Sequence, residues 1–214
     1  MRLKSIFTII LLLVSLSGCT VNKIKQDNMK IENEKQEKQK NDFLEERPIV
    51  NEDLLSDIKE ILILLKQKDL STLNTKYIHP DFSYYELIKD EKENKINIIK
   101  KLTFNENIKN IESFEIKQEE IIFNCSPLDD SGYGWNKEGV FLAPCKDLHL
   151  SQIMNDENQI NINSYKDEDI KKAIFIEKTS YEVIVPYGII FHITSIDKQW
   201  YITVVDKTKT DCSK

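Results

Sequence analysis

The end of the chain carries the clearest structural pattern: residues 189–205 read IIFHITSIDKQWYITVV. Two runs in which apolar residues recur at every second position flank a short polar segment, which is typical of a β-hairpin. Pairing Thr194 with Gln199 across the loop Ser195-Ile-Asp-Lys198 predicts the register of the two strands.

In this register the hairpin has one apolar face and one mixed face. The expected core residues are Ile189, Phe191, Ile193, Trp200, Ile202 and Val204. The mixed face carries Ile190, His192, Thr194, Tyr201, Thr203 and Val205. A mixed face meets solvent or lines a wet pocket, so His192 and Tyr201 are candidate pocket residues. The alternative is that His192 is an ordinary half-exposed sheet residue.

Period-two patterns upstream predict further strands at residues 114–123, 173–176 and 181–185. Glu177 and Glu182 flank a turn between two of these strands, and we expect both side chains to be solvated.

Helical patterns precede most of these strands. An apolar stripe over residues 54–65, with Asn51 as N-cap, predicts the first helix. Residues 70–77 predict a second helix capped by Asp69, and residues 94–102 a third. Helices followed by strands indicate an α+β domain.

The order of these elements, with Tyr77-Ile-His-Pro-Asp-Phe-Ser-Tyr84 after the second helix, resembles the NTF2-like (SnoaL-like) cone fold over residues 50–206. The resemblance implies N-terminal helices packed in a curved, mostly antiparallel sheet that leaves a pocket. Tyr84 is a candidate for the rim of this pocket, and the alternative is that it packs in the core, as aromatic residues after a helical pair more often do. Members of that fold serve as enzymes, binding modules or scaffolds, so the fold does not determine the function.

The start of the chain has the pattern of a signal peptide over residues 1–18. Arg2 and Lys4 precede an apolar run that is much shorter than the ~20 residues needed to span a membrane. Leu16-Ser17-Gly18-Cys19 resembles the lipobox of bacterial lipoproteins. The resemblance implies that acyl chains such as palmitate anchor Cys19 in the cell envelope, since two or more chains give stable membrane binding. A transmembrane anchor and an ordinary secretory signal are the alternatives.

Thr20 follows the modified cysteine. In lipoproteins of bacteria with two membranes, Asp at this position retains the protein at the inner membrane. Thr20 therefore favours the outer membrane, with the protein facing the periplasm, if the source is Gram-negative.

Residues 19–47 form the predicted lipidated cysteine and tether. The segment is rich in Lys, Glu, Gln and Asn and lacks Gly and Pro. It holds too few apolar residues to bury a core. A flexible tether of this length spans roughly 30 Å. Residues 48–214 then form the predicted single domain.

The charge of the chain argues against nucleic-acid partners. It has 30 Lys and Arg against 36 Asp and Glu, a net charge of −6, whereas binding to phosphates requires a basic surface. The sequence contains no phosphate-binding loop, His-Glu-x-x-His or Gly-x-Ser-x-Gly motif. The histidines occur in unlike contexts, and we expect no metal, no cofactor and no assignable catalytic residue.

Residues 124–146 are the least regular part of the predicted domain. Gly132, Gly134 and Gly139 lie there between two prolines, and irregular loops often carry binding residues. Tyr133 and Trp135 are the aromatic candidates for contact with a ligand. The alternative is a hairpin connection that packs one tryptophan.

Three cysteines remain once Cys19 is acylated, and an oxidising compartment favours one disulfide among them. Cys212 follows the last strand and Cys125 ends an earlier one, so we favour a bond between them. A bond between Cys125 and Cys145 is the alternative.

The leading hypothesis is a non-catalytic binding domain for a small molecule, a peptide or an envelope protein. The second is an NTF2-like enzyme that uses His192 and Tyr201 as acid and base. The third is a structural or immunity-type envelope protein.

Overall fold

A mixed sheet with strand order β2-β1-β9-β8-β7-β6-β3 is the centre of the domain. The computed structural model describes residues 46–90, 93–103, 114–125, 134–161 and 164–209. The sheet strands are β1 (Tyr84–Asp90), β2 (Glu93–Ile99), β3 (Ile116–Lys117), β6 (Val140–Pro144), β7 (Tyr181–Val185), β8 (Ile189–Ile196) and β9 (Gln199–Asp206). β4 (Phe123–Asn124) and β5 (Gly134–Trp135) form a separate pair.

The described helices are α1 (Glu52–Gln67), α2 (Leu70–Tyr77), α3 (Leu150–Ile160) and α4 (Asp167–Thr179). The α+β class is confirmed, and most neighbouring strands are antiparallel. The parallel pairs are β1 with β9 and β3 with β6. Within the described ranges, no helix combines the length and hydrophobicity needed to cross a membrane.

The first two helices begin where the sequence predicts them. The side-chain oxygen of Asn51 accepts a hydrogen bond from the Leu54 N–H at 2.9 Å and caps α1. Asp69 accepts one from the Thr72 N–H at 3.0 Å and caps α2. Each cap satisfies a backbone donor that has no partner within the helix.

The prediction of a third helix over residues 94–102 is wrong. This segment contributes β2, which forms an antiparallel hairpin with β1 and places Ile96 opposite Leu87. Three of its apolar residues are the β-branched Ile96, Ile98 and Ile99, which suit a strand better than a helix. The predicted stretch of helix contained too few residues for periodicity to decide.

Two strand predictions also need correction. Residues 173–176 lie inside α4, whose first turn carries Asp167, Glu168 and Asp169. Acidic residues at this end stabilise the helix dipole, and a four-residue apolar run does not distinguish a strand from a helix. The predicted strand 114–123 is reduced to the short β3 and the start of β4.

The β8–β9 hairpin exists with a tighter turn than predicted. Ile196 pairs with Gln199, so only Asp197 and Lys198 form the loop, with φ angles of 51° and 67°. Thr194 therefore pairs with Tyr201 rather than with Gln199. The shift is two residues, which leaves each side chain on its predicted face.

A register irregularity between His192 and Ile193 changes the faces beyond it. His192 pairs with Val204, so these two share a face, and Val205 joins the core in place of the predicted Val204. The bulge thus corrects the sequence prediction for these two valines.

The two faces of the sheet are covered differently. On one face, residues of α1 and α2 pack against Phe191, Ile193 and Ile202 in the main hydrophobic core. On the other face, Phe141, Ile184 and Ile190 form a smaller cluster, with Ile121 and Trp135 packed on it. The smaller cluster leaves part of that face uncovered by apolar side chains.

Candidate ligand-binding pocket

A pocket of about 490 Å³ lies on the second face of the sheet. Its apolar lining includes Leu87, Ile121, Phe123, Trp135, Ile153 and Ile184. The polar part of the lining includes four side chains that neighbouring strands bring together: Cys145, Glu182, His192 and Asp206. We call these four residues the polar floor.

Strand register brings the polar floor together. Glu182 on β7 pairs with His192 on β8, and paired residues of antiparallel strands lie on the same face. Asp206, at the end of β9, pairs with Ile190 on that face. Cys145 directly follows β6, and its backbone N–H donates to the Ser180 carbonyl at 3.2 Å. Four neighbouring strands therefore each supply one residue.

His192 is the most enclosed member of the floor. Its residue is 2% exposed, and neither ring nitrogen has a hydrogen-bond partner within the described part of the chain. Nε2 lies 4.0 Å from Oε1 of Glu182. One ligand atom from each of Glu182, His192 and Asp206 lies within 4.8 Å of the other two. The three groups therefore converge without a direct hydrogen bond to the imidazole.

Cys145 and His192 shift each other's pKa. Burial is the largest influence on each group and disfavours its charged form. The Cys145 thiol and the carboxylates of Glu182 and Asp206 outweigh burial for His192 and raise its pKa above the ordinary value. Contact with the imidazole outweighs burial for Cys145 and lowers the pKa of its thiol. A positive charge on His192 is thus favoured by its surroundings.

The carboxylates of the floor have partners of their own. Oε1 of Glu182 accepts from Nζ of Lys209 at 2.9 Å. Oδ1 of Asp206 accepts from the backbone N–H and the hydroxyl of Thr208, at 2.7 and 2.6 Å. The segment after β9 therefore holds both carboxylates in place.

Negative charge is in excess around the pocket. Among the described lining residues, the carboxylates are Glu120, Asp147, Glu182 and Asp206, and the lysines are Lys146 and Lys209. Lys146 pairs with Glu120. When His192 is counted as charged, these carboxylates still outnumber the cationic side chains by one, and the cavity is partly shielded from water, so the pocket favours cations.

Two aromatic side chains form part of the pocket lining. Phe123 on β4 pairs with Trp135 on β5, and their ring centroids are 4.9 Å apart. Asn136 ties the two strands together, because its side-chain oxygen accepts from the Ile122 N–H at 3.1 Å. Gly134 has a φ of 93°, which only glycine adopts without strain, so it permits this tight pair.

The sequence-predicted site residues lie in three different places. His192 and Trp135 line the pocket. Tyr84 is buried in the main core instead. The Tyr201 hydroxyl donates to Oε1 of Gln199 at 2.6 Å, and its ring packs on His79 near the exposed turn. Tyr133, Cys19 and Cys212 lie outside the described residues.

The cysteines differ in state. Cys145 is a free, buried cysteine, so the alternative bond between Cys125 and Cys145 is wrong: Cys145 lies beside His192 in the pocket. Cys125 is disulfide-bonded. Its partner is not among the described residues, and the bond to Cys212 stays a prediction.

Sequence reasoning missed Glu182, Asp206 and the place of Cys145. The expectation that Glu182 is solvated is wrong, because its side chain is only 17% exposed and faces His192. A usable signal was present: Glu182 and His192 are each the only ionisable residue in an otherwise apolar or hydroxyl-bearing strand core. A charged residue in such a strand needs a partner or a ligand.

Comparisons of the chain with models of protein families, with curated proteins and with solved structures found no match.

Proposed function

We propose that this chain is a lipid-anchored envelope protein whose domain binds a small, positively charged ligand in the pocket. The observation that carries the proposal is the convergence of the polar floor beneath an apolar and aromatic cavity of about 490 Å³. Small-molecule sites have this size and this combination of apolar walls with a few convergent polar groups.

Two features favour a cation as the ligand. Carboxylates outnumber lysines around the cavity, so a positive charge gains electrostatic energy on entry. The rings of Phe123 and Trp135 also attract cations through their faces.

The pocket supports binding more than the acid–base enzyme considered from the sequence. That enzyme needed His192 and Tyr201 to face one cavity, and the hydroxyl of Tyr201 is engaged with Gln199 instead. The NTF2-like cone remains part of the proposal. Its support is the N-terminal helical pair and the long antiparallel strands that end the domain.

The envelope location rests on the N-terminal sequence. Arg2, Lys4, the apolar run and the lipobox-like Leu16-Ser17-Gly18-Cys19 support acylation of Cys19. Mass spectrometry of the mature protein from native membranes is expected to show an acylated Cys19 as the first residue. A Cys19→Ser variant cannot carry the acyl chains. It is therefore expected to be lost from the membrane fraction. A mature protein that keeps residues 1–18 would refute the anchor.

Ligand binding is tested on the full chain extracted in a mild nonionic detergent. Native mass spectrometry is expected to show a co-purifying small species that denaturation releases. Ala143 lies on the pocket face opposite Glu182, so Ala143→Phe fills the cavity and is expected to lose that species.

The matched control is Ile160→Phe, at a position that is 72% exposed and outside the pocket lining. This variant is expected to retain the ligand. Equal retention by both variants, or no bound species in the wild type, contradicts the proposal.

A further inference from the structure

Building on the proposed binding of a cation, we propose that Glu182, His192 and Asp206 hold one divalent metal ion of the Zn²⁺ class at the bottom of the pocket. One imidazole nitrogen and two carboxylate oxygens are the protein ligands. The space above the ion is left for water or for the donor group of a second small molecule.

The geometry already approaches that of a metal site. A ligand atom from each of the three residues lies within 4.8 Å of the others. Metal–ligand bonds of about 2.0–2.2 Å place ligand atoms roughly 3–4 Å apart around one ion. A small rotation of the side chains is therefore enough to close the site.

The state of His192 is an independent reason to expect a ligand. Buried polar groups in proteins normally have a hydrogen-bond partner, yet both ring nitrogens of this 2%-exposed residue lack one within the described chain. His192 lines the pocket between two carboxylates. A metal ion would give one ring nitrogen a partner and would offset the negative charge of the two carboxylates beside it.

The donor types select the kind of metal. Ca²⁺ requires six to eight oxygen ligands and Mg²⁺ a nearly octahedral oxygen shell, whereas imidazole suits Zn²⁺, Co²⁺ and Ni²⁺. Three protein ligands leave a coordination position open, as in zinc sites that bind an exchangeable molecule. That position faces the cavity.

Lys209 competes with the ion. Its Nζ lies 2.9 Å from Oε1 of Glu182, where it occupies one prospective ligand oxygen. The Lys209 side chain is 35% exposed, so an ion that binds Glu182 can displace it toward solvent only by breaking this contact. Removal of this lysine is therefore expected to strengthen metal binding, whereas a purely structural ion pair would gain nothing from the change.

The experiment is calorimetric titration of the full detergent-solubilised chain, stripped with EDTA, with Zn²⁺ alone and with Ca²⁺ alone. We expect one equivalent of Zn²⁺ to bind and Ca²⁺ to bind at least about 10-fold more weakly. His192→Gln and Glu182→Gln are each expected to weaken Zn²⁺ binding about 10-fold or more. Lys209→Gln is expected to strengthen it by roughly threefold or more.

The matched controls are His79→Gln and Glu168→Gln, which change residues outside both the pocket lining and the trio. Both are expected to bind Zn²⁺ like the wild type. Circular dichroism checks the fold of every variant. Since Lys209→Gln is tested for a gain, loss of folding cannot imitate the expected result.

The metal site is refuted if Zn²⁺ binding does not saturate at one equivalent. It is also refuted if His192→Gln and Glu182→Gln bind Zn²⁺ as tightly as the wild type, or if Lys209→Gln binds it more weakly. Metal analysis of the untreated protein separates the two proposals. An organic cation without metal in the pocket overturns the metal site and leaves the pocket function standing. A protein with neither overturns both.

Discussion

The two faces of strands β6–β9 differ although the same strands build both. On the core face, Phe191, Ile193 and Ile202 are fully buried against helices α1 and α2. On the pocket face, alternate residues of the same strands include Glu182 and His192 beside a cavity. The core face is used entirely for packing, and the pocket face is not.

This difference separates stability from function within one sheet. Burying apolar area is the main favourable term in folding, and it is concentrated on the core face. The buried imidazole of His192 has no hydrogen-bond partner in the described part of the chain, and burial penalises it. We therefore expect substitutions on the two faces to have opposite profiles: large stability losses on one and binding losses on the other.

The largest expected effect on stability comes from comparing two neighbouring residues of β8, one on each face. Phe191→Ala is expected to lower the free energy of unfolding by about 3–5 kcal/mol, because it leaves a cavity in the core. His192→Leu keeps the volume and removes a polar group that has no hydrogen-bond partner among the described residues. Above the raised pKa of His192 the imidazole is neutral, so there the effect on that free energy is expected to stay within about 1 kcal/mol. Urea unfolding of metal-free protein, followed by circular dichroism, measures both. Equal losses would show that the pocket face is as important for stability as the core face.

The next effect comes from enlarging two alanines, one buried in a helix and one at the cavity. Ala173 of α4 is fully buried, and Ala173→Phe is expected to lower the free energy of unfolding by about 1–3 kcal/mol through overpacking. Ala143→Phe extends into the cavity, so its cost is expected to be smaller. Thermal and urea unfolding compare the pair. A greater cost for Ala143→Phe would mean that the cavity does not accept an added side chain.

The sequence predicted the core face better than the pocket face. Period-two patterns identified β7, β8 and β9, and local capping signals at Asn51 and Asp69 identified α1 and α2. These signals lie within a few residues of chain. The short apolar runs 94–102 and 173–176 have neither a clear period nor a decisive capping signal. In these two segments tertiary contacts determine the secondary structure.

The pocket depends on contacts that sequence spacing does not reveal. Cys145, Glu182 and Asp206 are far apart in the chain and meet through the register of four strands. The predicted pairing of the β8–β9 hairpin missed the bulge at His192. The bulge exchanges the faces of Val204 and Val205. Tyr201 lies on the turn side of the bulge, where it pairs with Thr194 and its hydroxyl donates to Gln199. Sequence reasoning therefore placed His192 on the pocket face, but alternation alone could not show that Tyr201 lies outside the pocket lining.

A smaller effect tests whether the helices support only the core face. Asn51→Ala removes the hydrogen bond to the Leu54 N–H, and is expected to lower the free energy of unfolding by about 1 kcal/mol. Since α1 packs on the core face, ligand or metal binding in the pocket is expected to stay unchanged. Urea unfolding and calorimetry on the same sample measure the two quantities. If Asn51→Ala also binds the ligand or metal more weakly, the core face and the pocket face are energetically coupled. Asn51→Asp, which keeps a capping oxygen, is the control.

The smallest effect concerns the turn that sets the register of both faces. Asp197 and Lys198 both have positive φ angles, the pattern of a two-residue turn for which Asn-Gly is favoured. Replacing them by Asn and Gly is expected to raise the free energy of unfolding by about 0.5–1 kcal/mol, since glycine adopts this backbone at little cost. A four-residue loop would not gain from the change. Ser195→Gly, inside β8, is the control and is expected to destabilise the hairpin, because glycine weakens a strand interior. Gain at the turn with loss at Ser195 therefore distinguishes the observed register, in which His192 and Glu182 share the pocket face, from the wider loop that the sequence predicted.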